Sequence, residues 1–290
     1  MADDLLIGAL APWFGGKRNM ARRIVAELGP HRAYWGLCCG SMPELFAKEP
    51  VTMETVVDLH GDLINLARCV ADRTIGPRLY RRLRRVLMSD AEFEEARRGI
   101  GLGKYTEDRL DEDRAFGFFV VSWMGRNGMS GTAATNTTFS RRFTKNGGHA
   151  AKRFASAVDS IPAWRRRMRN LTILRDDIFE IGERIEDAEG VAIYCDPPYV
   201  HKGARYVHDF AGPDHARLAT MLGRFRDTRV VVSYYDCDEV RDLYSGWTIV
   251  DCATTKALVS AGRRDARGAV SAPEVLIING PSNTSGGLWA

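Results

Sequence analysis

The segment richest in chemistry is Asp196-Pro197-Pro198-Tyr199, which follows the apolar run Val191-Ala192-Ile193-Tyr194-Cys195. By average composition this tetrapeptide arises by chance on the order of once in a thousand chains of this size. A strand ending in a carboxylate and two prolines places the acid at the sheet edge where open α/β folds bind ligands. The residue types suit one task in particular. An exocyclic amino group on a nucleobase is a poor nucleophile, because its lone pair is delocalised into the ring. The Asp196 carboxylate and the Pro197 carbonyl, turned outward by the stiff backbone that Pro198 completes, can each accept one N–H. That pairing favours a more tetrahedral nitrogen, whose lone pair can point at a methyl donor. Tyr199 offers a flat face for the base, worth about 1–3 kcal/mol in stacking. A base in duplex must leave the stack to reach such a pocket.

Strand and helix alternate around this motif. Gly15-Gly16 turns into an amphipathic stretch, residues 20–28, which Gly29 and Pro30 stop. Residues 33–38 form a short apolar run ending at a turn around Gly40, with a helix expected on to Lys48. Residues 54–58 read as a β-branched strand that ends in Asp58, and residues 63–70 resume helical spacing. From Arg73 helices dominate: residues 77–88, then 91–98 with Ser89 as N-cap, then 108–123 and 150–169. Residues 127–148, rich in Gly, Ser, Thr and Asn, read as a long loop or hairpin. Strands return at 171–174, 191–194 and 229–234, with helices at 178–185 and 213–225. Residues 247–254 and 274–279 are expected to pair as a closing antiparallel hairpin across a loop holding Arg263 and Arg264.

Taken together, these segments resemble the Dam-type DNA adenine N6-methyltransferases, particularly phage and prophage members. Asp-Pro-Pro-Tyr is the signature of S-adenosylmethionine-dependent amino methyltransferases. Pro12-Trp13-Phe14-Gly15-Gly16-Lys17 resembles that family's N-terminal motif, and Glu54-Thr55-Val56-Val57-Asp58 with Gly61-Asp62-Leu63-Ile64-Asn65 its acidic second motif. Leu174-Arg175-Asp176-Asp177-Ile178, Ser233-Tyr234-Tyr235-Asp236 and residues 273–279 match later motifs in the family's order. The resemblance implies a Rossmann-like class I methyltransferase fold: a mixed α/β sheet with an inserted, mostly helical target-recognition domain. It divides the chain into a cofactor-binding half (1–72), the insertion (73–169) and a catalytic half (170–290). It also implies S-adenosylmethionine as cofactor, with Trp13 and Lys17 at its methionine end and Gly40 and Ser41 beneath it. Asp58 would hold the ribose hydroxyls and Asp177 the cofactor's adenine amino group. The spacing agrees in part, since Asp58 lies 18 positions past Gly40 at a strand end, near the roughly 20 expected of a ribose-binding acid. One departure stands out. The family's first motif reads F-x-G-x-G after an acid, whereas Trp35-Gly36-Leu37-Cys38-Cys39-Gly40-Ser41 keeps Gly40, lacks the acid and puts Cys38 in the aromatic position.

Composition sets the outer bounds. A chain of 290 residues with 45% hydrophobic and 27% charged content excludes a disordered protein. The longest apolar stretch, residues 116–121, is far too short for a membrane span. The acidic start Met1-Ala2-Asp3-Asp4 is unlike a signal peptide, so a cytoplasmic location is expected. Six cysteines without a C-x-x-C pair, and six scattered histidines, predict no metal site. Cys195 lies within an apolar strand, so core packing is preferred over a covalent nucleophile.

The net charge of +4 divides unevenly. Residues 73–169 hold 21 Lys/Arg against 10 Asp/Glu, and the remainder 20 against 27. A basic block beside an acidic body suggests a polyanion-binding module, so double-stranded DNA is the expected partner. Arg126, Asn127, Arg141, Arg142 and Lys145 in the loop, with Arg165 and Arg166 in the last helix of the block, are the candidate DNA contacts. Neutralising Arg165, Arg166 and Arg167 should on this reading flatten the salt dependence of DNA binding. Adenine N6 is the expected target. Cytosine N4 is the alternative with the same machinery, and a non-catalytic DNA-binding remnant the alternative of another class. A cognate restriction endonuclease is a possible partner, and a monomer or weak dimer the expected state.

Overall fold

The computed structural model describes residues 5–100, 109–125, 137–141, 149–200, 206–252, 254–255 and 271–284. Seven strands form the main sheet: β1 (Ala33–Leu37), β2 (Met53–Val57), β3 (Thr172–Leu174), β4 (Val191–Cys195), β5 (Arg229–Tyr235), β6 (Thr248–Asp251) and β9 (Glu274–Ile278). Their order is β3-β2-β1-β4-β5-β9-β6. The first five run parallel, and β9 enters antiparallel between β5 and β6. A two-stranded ribbon, β7 (Thr254–Thr255) with β8 (Ser271–Ala272), leads into β9. The expected closing hairpin is present as the β6–β9 pair.

Because five strands are parallel, their carboxyl ends share one edge. The turn after β1, Asp58 after β2, Asp177 after β3 and Asp196 after β4 all emerge there. β9 runs the other way, so its first residue, Glu274, reaches the same edge opposite Tyr235. The order turns back at β1 and β4, the switch point at which such sheets bind ligands.

Ten helices are present among the described residues. α1 (Ala21–Leu28) ends where Gly29 adopts φ +65°, close enough to Asn283 Nδ2 that a Cβ would lie 2.8 Å from it. α2 (Pro43–Ala47) and α3 (Gly61–Ala71) return from the catalytic edge. α4 (Ile75–Leu83), α5 (Asp90–Gly99), α6 (Glu112–Met124) and α7 (Ala150–Met168) follow. Ser89 caps α5 as expected, accepting the Glu92 N–H. α8 (Ile178–Arg184), α9 (Gly212–Leu222) and α10 (Asp238–Leu243) complete the set.

The helices cover both faces of the sheet. One core joins Tyr34, Val56, Ala192 and Val231 of the sheet to Ile24, Leu66, Phe119, Trp123 and Trp164. The other joins Ile193, Val230, Val232 and Ile277 to Phe179, Leu218, Leu222 and Phe225. α6 and α7 also clamp the N-terminal segment: the Trp123 and Trp164 indoles donate to the Leu10 and Ile7 carbonyls at 3.1 and 2.6 Å. The basic stretch therefore supplies part of the sheet's own covering layer. None of the helices among the described residues is long and apolar enough to cross a membrane.

Candidate active site

Asp196 occupies the centre of the carboxyl edge. Its backbone N–H donates to the Leu37 carbonyl at 3.2 Å, which extends the β1–β4 pairing by one residue and fixes where the side chain starts. Lys17 Nζ lies 2.9 and 3.0 Å from the two carboxylate oxygens and 3.6 Å from Glu274 Oε1. The Ser233 hydroxyl, on β5, donates to Asp196 Oδ1 at 2.7 Å and meets Tyr194 OH at 3.1 Å. The Lys17 side chain is 3% exposed while that of Asp196 is 21% exposed, so the carboxylate faces the cavity with its ammonium partner behind it.

The electrostatics follow from two carboxylates sharing one buried cation. Burial alone would discharge Lys17, but Asp196 and Glu274 outweigh it and hold its pKa above the ordinary lysine value. Burial is also the largest influence on Asp196. It raises that carboxyl's pKa, with Lys17 and Ser233 opposing and Glu274 adding to the rise. A further acid lies beneath them. Glu44 on α2 is 1% exposed, accepts from Tyr34 OH at 3.1 Å, and is pushed by burial up to about 7.

Beside this pair opens a cavity of about 270 Å³ lined by the ends of β2, β3 and β4. Trp13, Asp58, Asp177, Asp196 and Pro198 line it, as the sequence reading requires of residues that meet there. Asp58 is held at both oxygens, accepting the Gly40 N–H at 2.9 Å and the His60 N–H at 2.8 Å. Gly40 sits at φ +47°, and a Cβ there would lie 2.9 Å from Trp13 Nε1. Cys38 and Met42 in the same turn are also left-handed, with φ +52° and +59°. Non-glycine residues rarely adopt that conformation, so the turn is strained. Ser41 is 2% exposed, and its hydroxyl has no hydrogen-bond partner among the described residues. Asp177 combines two roles weighed in the sequence, capping α8 through the Phe179 N–H at 2.9 Å while facing the cavity.

Lys17 and Tyr199 sit differently from expectation. Lys17 binds Asp196 directly. Tyr199 is 6% exposed: its hydroxyl donates to Glu274 Oε1 at 3.3 Å, and its ring lies 4.8 Å from Lys17 Nζ and edge-on to Tyr235 at 4.6 Å. Tyr206, unlike Tyr199, lines the cavity. Pro197 is buried between Asp196 and Pro198. Sequence reasoning also missed the far end of the cavity. There Phe179 stacks on Phe210 at 5.7 Å, and the Arg217 guanidinium covers Phe179 at 4.0 Å. The Asp-Ile-Phe order after β3 carried that signal without being used.

The candidate DNA contacts fall into three groups. Arg126, Asn127, Arg142 and Lys145 lie outside the described residues, as does the loop holding Arg263 and Arg264. Arg141 pairs with Asp90 at 3.1 Å on the surface. Arg165 and Arg166 lie near the carboxyl end of α7, which leads into the start of β3, at the sheet edge opposite Asp196. Arg165 donates to the Asp72 and Arg73 carbonyls at 3.4 Å. Arg167 forks onto Glu54 at 2.5 and 2.7 Å, where Lys48 also binds at 2.5 Å. Neutralising Arg167 would break a buried ion pair, so the triple neutralisation does not isolate DNA contact. Among the described residues no group of His, Cys, Asp and Glu is arranged to hold a metal.

No curated protein matches the sequence. Two solved structures are similar at 12% identity. One is a precorrin 8W decarboxylase from Methanobacterium thermoautotrophicum (TM-score 0.35, covering 91% of this chain and 90% of that one). The other is the rRNA methyltransferase aviRa from Streptomyces viridochromogenes (TM-score 0.33, 90% and 83%). The informative comparison is with a family. Residues 13–258 match the D12 class N6 adenine-specific DNA methyltransferases, a span from the Trp13 turn through the Asp196 edge to β7. The chain belongs to the D12 class N6 adenine-specific DNA methyltransferases.

Proposed function

We propose that the chain transfers a methyl group from S-adenosylmethionine to the N6 amino group of an adenine rotated out of duplex DNA. One observation carries this reading: a carboxylate anchored by Lys17 and Ser233 faces an acid-lined cavity at the switch point of the sheet. The residues present fit the cofactor. The orphaned Ser41 hydroxyl and the close approach of Gly40 to Trp13 mark a turn shaped for a ligand. Asp58 would accept from the ribose hydroxyls. Asp177 would accept from the cofactor's adenine amino group, with Phe179 and Phe210 flanking the ring. When bound, S-adenosylmethionine supplies a methyl group on a cationic sulfur.

The chain's own residues handle the base. Asp196 accepts one N6–H and the Pro197 carbonyl the other, which exposes the nitrogen lone pair for in-line attack. Methylation leaves one proton too many on that nitrogen, and the adjacent Asp196 carboxylate, whose pKa burial raises, is its acceptor. The site works by positioning and fixed charge. Target reading is assigned to residues 126–148, in the cytoplasm and with or without a partner endonuclease.

The test combines a cofactor titration with transfer of labelled methyl groups to unmethylated plasmid. Binding in the micromolar range, weakened at least tenfold in Asp58→Ala, with label entering DNA, is expected. No binding at millimolar cofactor would favour the non-catalytic remnant instead.

A further inference from the structure

We propose that the outward face of α1 and the turn before it, Arg18, Arg22 and Arg23, forms a phosphate-contacting surface for the duplex flanking the target base. The inference rests on the DNA methyltransferase reading and locates part of its substrate surface. It begins with a contrast among the arginines. Several of those in the helical stretch are ion-paired: Arg78 and Arg82 with Glu112 and Asp113, Arg97 with Glu94, Arg114 with Asp62, Arg167 with Glu54. Arg18, Arg22 and Arg23 are exposed, and no carboxylate among the described residues lies within ion-pair distance of them.

Local structure gives these three arginines no reason to be together. Arg18 lies in the turn before α1, four positions ahead of Arg22, so three like charges fall within six residues. Arg22 and Arg23 also occupy the first turn of α1, which holds no acid, although helices favour acids there. The one carboxylate of α1, Glu27, is turned inward and held by Ser282, Thr284, the Asn283 N–H and Arg229. The exposed charged residues of α1 are thus all cationic. A polyanion supplies what the fold leaves out.

Position selects which polyanion. Lys17, next in sequence to Arg18, is the residue paired with Asp196, so the basic face starts beside the catalytic carboxylate. α1 then runs about 12 Å toward the opposite edge. A duplex about 20 Å wide, seated so that one base reaches Asp196, spans that distance. Arg165 and Arg166 lie at the opposite edge, beside the start of β3.

The experiment measures binding of a fluorescent DNA duplex against sodium chloride concentration. It compares the wild type with Arg18→Gln/Arg22→Gln/Arg23→Gln and with Arg165→Gln/Arg166→Gln. Each lost phosphate contact lowers the slope of log K against log salt by about 0.9. The α1 variant should lose about 2.7 units of slope and bind at least tenfold more weakly at 0.1 M salt, with its melting temperature and cofactor affinity retained. The α7 variant should match the wild type. An unchanged slope in the α1 variant, with wild-type binding intact, overturns the proposal and leaves the activity reading standing. Loss of binding to anionic vesicles but not to DNA also overturns it. A wild type that binds no duplex at low salt overturns the reading beneath it.

Discussion

At the scale of single residues, the site depends on how two carboxylates, Asp196 and Glu274, share one lysine. Asp196 must be ionised to accept from an amino group, yet burial and Glu274 both work against ionisation. Lys17 is the main opposing influence. In Lys17→Gln the Asp196 pKa should therefore climb further, and activity that is lost as pH falls through that pKa is lost at higher pH. The acid limb of the kcat/KM profile is expected to move up by about one unit or more, with the alkaline side little changed. Glu44 gives a separate prediction with its own sign. Its folded pKa, about 7, lies above the ordinary carboxyl value of 4.5. Between those values the folded state holds the extra proton, so stability falls as pH rises from about 4.5 to about 7 and is level above. The loss amounts to about 3 kcal/mol. Glu44→Gln should remove it, melting higher than the wild type at pH 8 and close to it at pH 4.5. Paired thermal melts at the two pH values check this, and an equal difference at both would contradict it.

At the scale of elements, most of the architecture was legible because the local signals agreed. Gly29 and Pro30 stop α1, Ser89 caps α5, and β-branched runs mark β2, β4 and β5. Asp58, Asp177 and Asp196 could be placed at strand ends for the same reason. What stayed hidden depended on distance or direction. Lys17 and Asp196 are 179 positions apart, and no local pattern announces their pair. Ser233 reads as one polar residue in a buried strand until β5 is set beside β4. Tyr199 looks like an exposed platform until Lys17 and Tyr235 close over it. The arginines at the end of α7 look like a nucleic-acid patch because sequence does not show which sheet edge a helix ends on. Arg167 makes the point testable. Removing one partner of a buried ion pair costs about 3–5 kcal/mol. Arg167→Gln should therefore melt several degrees lower than the wild type while leaving the salt slope of DNA binding unchanged. A variant with wild-type stability and a reduced slope would return Arg167 to the interface.

At the scale of the whole molecule, the uneven charge keeps its significance but changes its geography. The basic stretch from 73 to 169 is in large part structural: α6 and α7 close one face of the sheet, and several of its arginines are ion-paired within it. Exposed arginines without an ion pair among the described residues also lie at the start of α1, at the edge where the cavity opens. On the proposed reading, the body presents an acid-lined pocket for a cationic cofactor beside an arginine face for DNA. Cys38, in the strained turn that runs on to Met42, lines that pocket. Gly40→Ala should clash with Trp13 and weaken cofactor binding by tenfold or more, read by equilibrium titration with the fold checked by circular dichroism. The central claim is methylation of adenine N6 by Asp196, and modified-base sequencing of unmethylated plasmid incubated with enzyme and S-adenosylmethionine tests it most directly. N6-methyladenine at a defined site, absent with Asp196→Ala, is the predicted result. N4-methylcytosine, or adenine methylation that persists in Asp196→Ala, would contradict it.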